Sequence, residues 1–487
     1  MQIKTFCFVA LGTTVLTGCT SPPREEHFSH VQKAVTDRTG SVIHWRTDSA
    51  EDAEADRAVR ELLAQPLTAE AAAQIALLNN RHLQATFEEI GIAQADLVQA
   101  GLLKNPVFDL GIRFPTRSPS KTYLDMSIAS DFIELFLIPA RNKLAGEGLR
   151  QAELRVTDQV LATVAQTKTD FYKYQAAQQM LELRKQVADA ADASSETARR
   201  LQEAGNISEL DALAEQTQDV RTKVELNEAQ AEVAAAREAV NRDLGLTTGA
   251  DSWKPASRLA DPPSTEIAGG ALEDFAIQNR QDVAAARQEL ELKSSTLAYS
   301  RQTRFLPTLT AGVEAERETD GQWRIGPTLA VPVPLFDQGQ GAVARQEAVL
   351  RQSKARYEGL CADVRSEVRL ASAKLKISRE KAALYHDKVL PLEQKLVEQT
   401  QLHFNGMFVG VFQLLQARRD EISAGGEYIT ALRDYWTARA ELERATGGGT
   451  LPGASASAQP STSQPAATQP QDTSPESHEH HHHGDHP

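Results

Sequence analysis

The stretch Asn80-Arg81-His82-Leu83-Gln84-Ala85 returns later in the chain as Asn279-Arg280-Gln281-Asp282-Val283-Ala284-Ala285. Three further correspondences keep the same spacing: Asn105-Pro106 with Leu306-Pro307, Leu135-Phe136 with Leu335-Phe336, and Ala204-Gly205 with Asn405-Gly406. All four offsets lie between 199 and 201 residues, and self-similarity at one fixed period indicates repetition of a structural unit. The sequence therefore predicts an internal two-fold repeat.

Each copy has the same order of parts. A helix of about 35 residues, at 67–103 and again at 267–304, leads through a proline to two short alternating segments and then to a very long helix. The long helix covers Arg141–Ala204 in the first copy and Ala342–Phe404 in the second. At about 1.5 Å per residue, each would be nearly 100 Å long. Helices of that length cannot fold back into a compact domain.

Both long helices carry an apolar stripe and end at a glycine. Apolar residues recur at steps of seven, four and three, as at Leu149, Val156 and Val160, which is the spacing of a coiled-coil seam. After Gly205 and Gly406 the helical pattern resumes, to about residues 244 and 445. A glycine after a helix supplies the left-handed cap that lets the chain reverse. Each copy is therefore predicted to form a long helical hairpin.

Four short segments alternate apolar with polar residues: 108–114, 124–129, 309–316 and 323–329. This is the pattern of transmembrane barrel strands and equally that of a half-buried soluble sheet. Four strands cannot close a barrel, because the smallest bacterial barrels have about eight and lipid tolerates no open edge. The membrane interpretation therefore requires oligomerisation, and three copies would supply twelve strands.

The N-terminus has the form of a secretory signal. A lysine at position 4 precedes an apolar run from Phe6 to Leu16, which ends in Leu16-Thr17-Gly18-Cys19. The final cysteine makes residues 1–18 resemble a bacterial lipoprotein signal, in which the Cys19 thiol is acylated after cleavage. An ordinary signal with a chance cysteine is the alternative. Thr20 stands where such lipoproteins carry the aspartate that favours inner-membrane retention, so the resemblance implies the outer membrane.

Composition excludes several function classes. The formal charge of −14 argues against a nucleic-acid partner, which would require a basic surface. Loss of Cys7 with the signal and acylation of Cys19 would leave Cys361 alone, so no intrachain disulfide is expected. Apart from the C-terminal tail, the chain shows no metal-ligand spacing, Gly-rich phosphate loop or nucleophile elbow, and we expect no catalysis.

The lipoprotein cysteine, the repeat, the strand pairs entering at Asn105-Pro106 and Leu306-Pro307, and the tip sequence Gly205–Leu213 together resemble outer-membrane factors of the TolC type. The resemblance covers about residues 66–447. It implies a mainly α fold with a small β part. Long coiled-coil hairpins would form a trimeric periplasmic α-barrel, and twelve strands, four from each chain, would form a transmembrane β-barrel.

The same resemblance implies a passive exit channel of a tripartite efflux system, anchored by lipid in the outer membrane. Its partners would be a periplasmic adaptor (membrane fusion) protein and an inner-membrane pump, often a proton-driven one. On this interpretation the chain consists of a signal peptide (1–18), an extended segment (19–65), repeat 1 (66–246), a linker (247–265), repeat 2 (266–447) and a disordered tail (448–487).

The hairpin tips are the candidate functional residues. The resemblance implies that the tips around Gly205 and Gly406 meet the adaptor and close the channel, with Asp211 the acidic residue of the first tip. No carboxylate stands between Gly406 and Asp420, where family members often carry an acidic ring. Two aromatic residues of the second tip could narrow the pore by an apolar constriction, or could pack between neighbouring helices: Phe408 and Phe412.

The tail is rich in Ser, Pro, Gln and Thr and ends in six histidines within ten residues: His478, His480, His481, His482, His483 and His486. Such a cluster can bind Cu, Zn, Ni or Co through neutral imidazole; a solvated low-complexity end and an expression remnant are the alternatives. If the tail binds metal, the channel would belong to a heavy-metal efflux system. The scattered histidines are expected to be solvent-exposed or packing residues: His30, His44, His82, His386 and His403.

Rival interpretations remain open at this point. A periplasmic coiled-coil adaptor or scaffold lipoprotein without a pore would also have long hairpins and a lipid anchor, but one hairpin would suffice and the strand pairs would be unexplained. Within the channel class, a type I secretion duct or a drug-efflux duct would show the same pattern.

Overall fold

The computed structural model describes residues 25–114, 116, 121–247, 253–263, 272–305 and 308–448, which belong to one structural unit. The helices are α1 (Glu25–Thr39), α2 (Ala50–Ala64), α3 (Ala69–Asn79), α4 (Arg81–Gly101), α5 (Glu134–Glu203), α6 (Glu209–Leu244), α7 (Leu272–Asn279), α8 (Gln281–Thr303), α9 (Gln340–Leu384), α10 (Leu390–Asn405) and α11 (Val411–Ala445). The strands are β1 (Val107–Arg113), β2 (Tyr123–Asp131), β3 (Thr310–Arg317) and β4 (Trp323–Ala330). A helix pair, a strand pair and a long helical hairpin thus occur in that order twice.

The first helix of each half is broken, whereas the sequence pattern predicted one helix over 67–103 and one over 267–304. The breaks fall at Asn80 and Arg280, whose ψ values of 117° and 133° leave the helical region. The Asn80 side chain caps α4 and also donates to the carbonyl of Asp243 at 2.9 Å. The Arg280 guanidinium donates to the carbonyl of Ala445 at 3.2 Å. Each break therefore binds the end of the return helix of its own half.

The long helices have nearly the predicted lengths, but the second is not uniform. α5 has 70 residues, whereas α9 and α10 are separated by a π-helical turn, Tyr385–Val389. Pro391 is the cause, because its nitrogen has no hydrogen to donate and its ring would clash with the carbonyl four residues earlier. The turn widens to avoid that clash. The prediction of one continuous α-helix over Ala342–Phe404 is therefore wrong at this turn.

Most of the described N-terminal segment, residues 25–39 and 50–64, is helical, not extended as predicted from the sequence. α1 places Phe28, Val31 and Val35 on one face, against a core that includes Trp45 and Phe87. Their spacing of three and four residues is that of an amphipathic helix. α2 docks in the same way through Val59, next to the buried start of α3. Both short helices owe their order to packing against the long hairpin, which local sequence does not show.

The segment that connects the two halves, residues 253–263, packs against α5 and α6 at the end of the first hairpin away from its tip. The Trp253 side chain is fully buried, with its ring 4.9 Å from that of Tyr174 and beneath the guanidinium of Arg237. Next to it, the backbone of Leu67 donates to the carbonyl of Lys254 and accepts from the amide of Ala256, both at 2.8 Å. These contacts tie the connection to the start of the first half.

The two halves enter their long helices differently. β2 ends at Asp131 and α5 begins at Glu134, whose buried carboxylate binds Lys104 at 2.6 Å and also Arg141. β4 ends at residue 330 and α9 begins at residue 340, so an exposed connection of nine residues separates them. Among the described helices, none is long and apolar enough to cross a membrane.

Candidate functional site

The four strands form one antiparallel sheet in the order β1-β2-β3-β4. Register places the apolar residues of all four strands side by side, as in the row Leu110, Met126, Ala315 and Ile325. Directly paired residues share a face of a sheet, so the predicted alternation is confirmed. This face consists of Phe108, Leu110, Ile112, Leu124, Met126, Ile128, Ala311, Val313, Ala315, Trp323, Ile325, Pro327 and Leu329, with Ser130 and Arg317 as its polar members.

The apolar face is exposed in a single chain. Ile325 is 74% accessible and Leu329 is 69% accessible. Soluble monomers rarely leave so large a contiguous apolar surface in water. Within the described residues, β1 and β4 each pair on one side only, so the sheet also has two open edges. The sheet of a single chain therefore exposes both an apolar face and two unpaired edges.

The opposite face of the sheet is polar and mainly acidic. Its charged members are Asp109, Arg113, Asp125, Asp131, Glu314, Glu316 and Arg324. Glu316 accepts a hydrogen bond from the hydroxyl of Tyr123 at 2.8 Å, and Asp125 pairs directly with Glu316 across the sheet. The alternating pattern in the sequence does not identify these residues as one acidic surface, because that requires the register of all four strands.

The first hairpin tip has the predicted form. Gly205 has φ +73°, and the amide of Asn206 donates to the carbonyl of Leu201 at 2.8 Å, which closes α5 with a left-handed cap. Ser208 then begins α6. Its hydroxyl accepts from the amide of Asp211 at 3.2 Å and donates to the carboxylate of the same residue at 2.8 Å. Ser208 therefore caps the return helix, and the Asp211 carboxylate orients the capping hydroxyl.

The second tip differs from the prediction, which gave Gly406 the left-handed conformation. Gly406 has φ −80°, and Met407 has φ +61° instead. The amide of Phe408 donates to the carbonyl of His403 at 2.9 Å, so Met407 occupies the position that Gly205 has in the first tip. A Cβ at Gly406 would lie 2.8 Å from the Phe408 ring, so a larger residue there would require that ring to move.

The two candidate constriction residues lie at the second tip without being buried in it. Phe408 is 82% accessible and Phe412 is 37% accessible. The Phe408 ring contacts the His403 ring edge to face, with 6.1 Å between the centroids. Within one chain, Phe408 is therefore not packed between helices.

A buried ion pair joins the two hairpins behind their tips. Glu215 on α6 is 4% accessible and accepts from the Arg419 guanidinium of α11 at 2.9 and 3.1 Å. Its carboxylate also accepts from the Ser194 hydroxyl of α5 at 2.8 Å. Sequence reasoning missed this contact, because Glu215 and Arg419 lie in different copies and only tertiary structure brings them together.

At the other end of α6, two carboxylates lie close together. Burial raises the pKa of Asp243 to about 7, and the neighbouring Asp170 adds to the shift. Asp170 is held by Lys173 at 3.0 Å and by Gln166 at 2.8 Å. Because a buried like-charge pair cannot easily carry both charges, the Asp243 carboxyl is the member that takes up a proton.

The scattered histidines have several environments. His44 hydrogen-bonds Asp52 at 2.6 Å and His386 hydrogen-bonds Asp387 at 2.7 Å, whereas the ring of His82 is exposed at the start of α4. His30 lies beside His27 and Glu153, two residues that sequence reasoning had not selected. Cys19 and the six tail histidines fall outside the described residues.

Comparisons with known proteins agree with this geometry. A family model described as outer membrane efflux protein matches residues 273–448. The cobalt-zinc-cadmium resistance protein CzcC of Cupriavidus metallidurans is 26% identical over 390 residues, which are 79% of this chain and 91% of that protein.

Two solved structures have the same fold. The CmeC outer membrane channel of Campylobacter jejuni has a TM-score of 0.67 at 14% identity, covering 87% of this chain and 93% of its own. CusC has a TM-score of 0.65 at 16% identity, covering 78% of this chain and 92% of its own. The mainly helical fold with a small four-stranded sheet is therefore shared with outer-membrane channels.

Proposed function

We propose, from this confirmed resemblance to the outer membrane efflux protein family, that the chain is one protomer of a trimeric exit channel in the outer membrane. The channel would be passive and would serve a tripartite efflux system. A periplasmic adaptor would join it to a proton-driven inner-membrane pump, which would supply the energy. On this proposal the chain performs no catalysis.

The observation that carries the proposal is the sheet, with its exposed apolar face and two open edges. Lipid would cover the apolar face, because burial of apolar surface is favourable by roughly 25 cal/mol per Å². The open edges would pair β1 of one protomer with β4 of the next, since no unpaired strand edge is stable in a bilayer. Three protomers would close a barrel of twelve strands, with the acidic face lining its interior.

Exposed apolar side chains at both hairpin tips support adaptor docking there. Leu210 and Leu213 are exposed at the first tip, and Met407 and Phe408 at the second. An adaptor would bury them near Gly205, Asp211 and Gly406. Phe408 would also narrow the pore in the trimer, a role that its exposure in the single chain supports, whereas Phe412 is more enclosed.

Divalent metal cations are the proposed cargo. The related CzcC is named for cobalt, zinc and cadmium resistance, and the acidic face of the sheet would favour cations in the lumen. The six tail histidines would gather Cu, Zn, Ni or Co near the assembly without forming the conduit.

A lipid on Cys19 is compatible with the position of α1. Cys19 lies six residues before Glu25, where α1 begins, so the two residues can be at most about 21 Å apart. His27 contacts Glu153, which lies 19 residues into α5 and therefore about 28 Å along that helix. From its contact with α5, the chain could thus reach back along most of that distance towards the start of α5 beside the sheet. We further propose that the two-fold sequence repeat underlies the repeated order of elements, with repeats at 66–246 and 266–447.

The test is to purify the protein in detergent from the outer-membrane fraction, measure its mass with bound detergent accounted for, and record conductance in a planar bilayer. The expected result is a trimer that conducts. Ile325→Arg, which places a charge on the apolar face, should abolish insertion, whereas a Ser127→Arg protein with the charge on the polar face should still conduct. Labelling with radioactive palmitate, compared between the parent and Cys19→Ser, tests the anchor separately.

A monomer that leaves the bilayer sealed would contradict the channel and favour the scaffold lipoprotein. A conducting trimer without palmitate would retain the channel and remove the lipid anchor. For the cargo, cells that lack the chain should become sensitive to cobalt, zinc or cadmium; sensitivity to organic drugs alone would contradict the metal assignment.

A further inference from the structure

Three potential metal ligands converge where the first helix meets the long hairpin. His27 and His30 are one turn apart on α1, which places both side chains on the same side of the helix. Glu153 faces them from α5, 126 residues away from His27 in the sequence. The Glu153 Oε1 atom lies 2.8 Å from Nδ1 of His27 and 3.6 Å from Nδ1 of His30. All three candidate ligand atoms lie within 4.8 Å of one another.

The helices hold this group in place through an apolar contact on its flank. Val31 of α1 and two α5 residues around Glu153, Leu149 and Val156, belong to one buried cluster. The Glu153 side chain is only 14% accessible, and a carboxylate so enclosed needs a partner. α1 and α5 are therefore in fixed register at the point where the three ligands meet.

The distances suit a tetrahedral ion. Bonds of about 2.0–2.1 Å from a tetrahedral zinc to nitrogen or oxygen place the ligand atoms about 3.3 Å apart. The present separations of 2.8 and 3.6 Å bracket that value. Small side-chain rotations, with Nδ1 of His27 freed of hydrogen by a change of tautomer, would admit the ion between them.

The donor set selects the class of metal. Two imidazole nitrogens and one carboxylate oxygen suit Zn²⁺, Co²⁺, Ni²⁺ or Cu²⁺, whereas Ca²⁺ and Mg²⁺ require mainly oxygen ligands. The His30 side chain is 61% accessible, so the site is open to solvent on that side and has room for a water as fourth ligand. An open site of three protein ligands exchanges its ion, unlike a closed structural site.

We propose that His27, His30 and Glu153 form a divalent transition-metal site of the zinc class, which fastens α1 to α5. Binding would cross-link two elements that are far apart in the sequence. An isolated helix of 15 residues is marginal in water, so a bound ion would add to the apolar contact and strengthen the docking of α1. The proposal does not depend on a pore, since the three residues are on one chain.

The experiment uses the full-length protein in detergent, with the six tail histidines replaced by serine so that the tail does not bind metal. Zn²⁺ is titrated by calorimetry, and Co²⁺ is added in parallel as a probe of tetrahedral coordination by its visible absorption. The variants are His30→Ala and Glu153→Gln. His82→Ala is the matched control, because His82 is also an exposed helical histidine but lies outside the cluster.

We expect one ion per protomer in the tail-substituted protein and at least a tenfold weaker affinity in His30→Ala and in Glu153→Gln. His82→Ala should bind like the parent. Zn²⁺ should slow amide hydrogen exchange over residues 25–39 in the parent and not in the two variants. Because His30 is exposed, its substitution should leave helical content and oligomer size unchanged, which separates loss of the site from loss of the fold.

Two results would overturn the proposal. One is the absence of a stoichiometric ion once the tail histidines are gone. The other is an affinity that His30→Ala and Glu153→Gln leave unchanged, or that His82→Ala lowers equally. If Glu153→Gln alone loosens α1 and Zn²⁺ adds no protection in the parent, the cluster is a hydrogen-bonded contact without a metal.

Discussion

Glu215 and Arg419 form a buried ion pair between the two hairpins, with the guanidinium of Arg419 at 2.9 and 3.1 Å from the two carboxylate oxygens. The Glu215 side chain is 5% accessible and that of Arg419 is 35% accessible. Loss of the arginine would leave an enclosed carboxylate with Ser194 as its hydrogen-bond donor. The pair therefore restrains the separation of the hairpins near their tips.

Arg419→Ala should lower the free energy of unfolding by about 2 kcal/mol, a value reduced from that of a fully buried pair because the arginine is partly exposed. In a planar bilayer, the same variant should raise the fraction of time for which the proposed channel is open. The control is Arg418→Ala, which removes an exposed contact with Glu421 on the same helix and should change stability by less than about 0.5 kcal/mol. Equal effects of the two substitutions would show that the inter-hairpin pair has no special role.

Met407→Gly should stabilise the second tip. A non-glycine residue in the left-handed conformation costs about 1–2 kcal/mol, so the glycine variant should gain about 1 kcal/mol, measured from the midpoint of thermal unfolding in detergent. A lower midpoint would mean that the Met407 side chain contributes more than its backbone strain costs.

Gly406→Ala should destabilise the same tip by about 1–2 kcal/mol, because the new methyl group would lie 2.8 Å from the Phe408 ring. Gly359→Ala is the matched control, since it is an exposed helical position with no neighbouring atom within 4 Å of the added Cβ. The control should gain about 1 kcal/mol from helix propensity. A neutral Gly406→Ala would show that the Phe408 ring moves aside freely.

Ile325→Arg should cost about 2–4 kcal/mol if the apolar face of the sheet lies in lipid. The measurement is the amount of trimer recovered from the outer-membrane fraction. Ser127→Arg is the control, because Ser127 lies on the polar face between Asp109 and Glu314 in the register. Equal recovery of the two variants would contradict a lipid-facing apolar surface.

Asp243→Asn should have a pH-dependent effect on stability. The folded state raises the pKa of Asp243 to about 7, above the ordinary value of about 3.9, so folding favours the protonated form. The parent therefore gains stability as the pH falls from about 7 towards 4, and loses that contribution as the pH rises through 7. The neutral Asn variant should exceed the parent by about 1–2 kcal/mol at pH 8, after a discount for partial exposure, and by much less at pH 5. An advantage independent of pH would exclude titration of Asp243 as its cause.

Local periodicity predicted much of the fold. The strands follow the two-residue alternation to within a residue or two at their ends, and the register confirms which residues share a face. The lengths of the hairpins follow from the apolar stripe and from the glycines after it. The strand pattern and the hairpin lengths depend on residues close together in the sequence, which explains why a single sequence was enough to predict them.

Features that depend on tertiary contacts were not predicted. Asn80 and Arg280 leave the helix in order to bind carbonyls more than 160 residues away, and no local pattern reveals such a partner. The sequence pattern predicts Gly406 as the left-handed residue of its tip, but the helix continues one residue further and Met407 has that conformation. The helices α1 and α2 were also not predicted, because their stability depends on packing against the long hairpin.

The two junctions between sheet and hairpin differ in torsional stiffness. The junction between β2 and α5 is short, and Glu134 forms ion pairs there with Lys104 and Arg141. A twist of α5 is therefore transmitted directly to β2. The second runs from residue 330 to residue 340 as a free connection. A load on the second hairpin can therefore be absorbed as rotation in that connection, which leaves the sheet undistorted. The first hairpin is therefore coupled rigidly to the sheet, whereas the second can rotate relative to it.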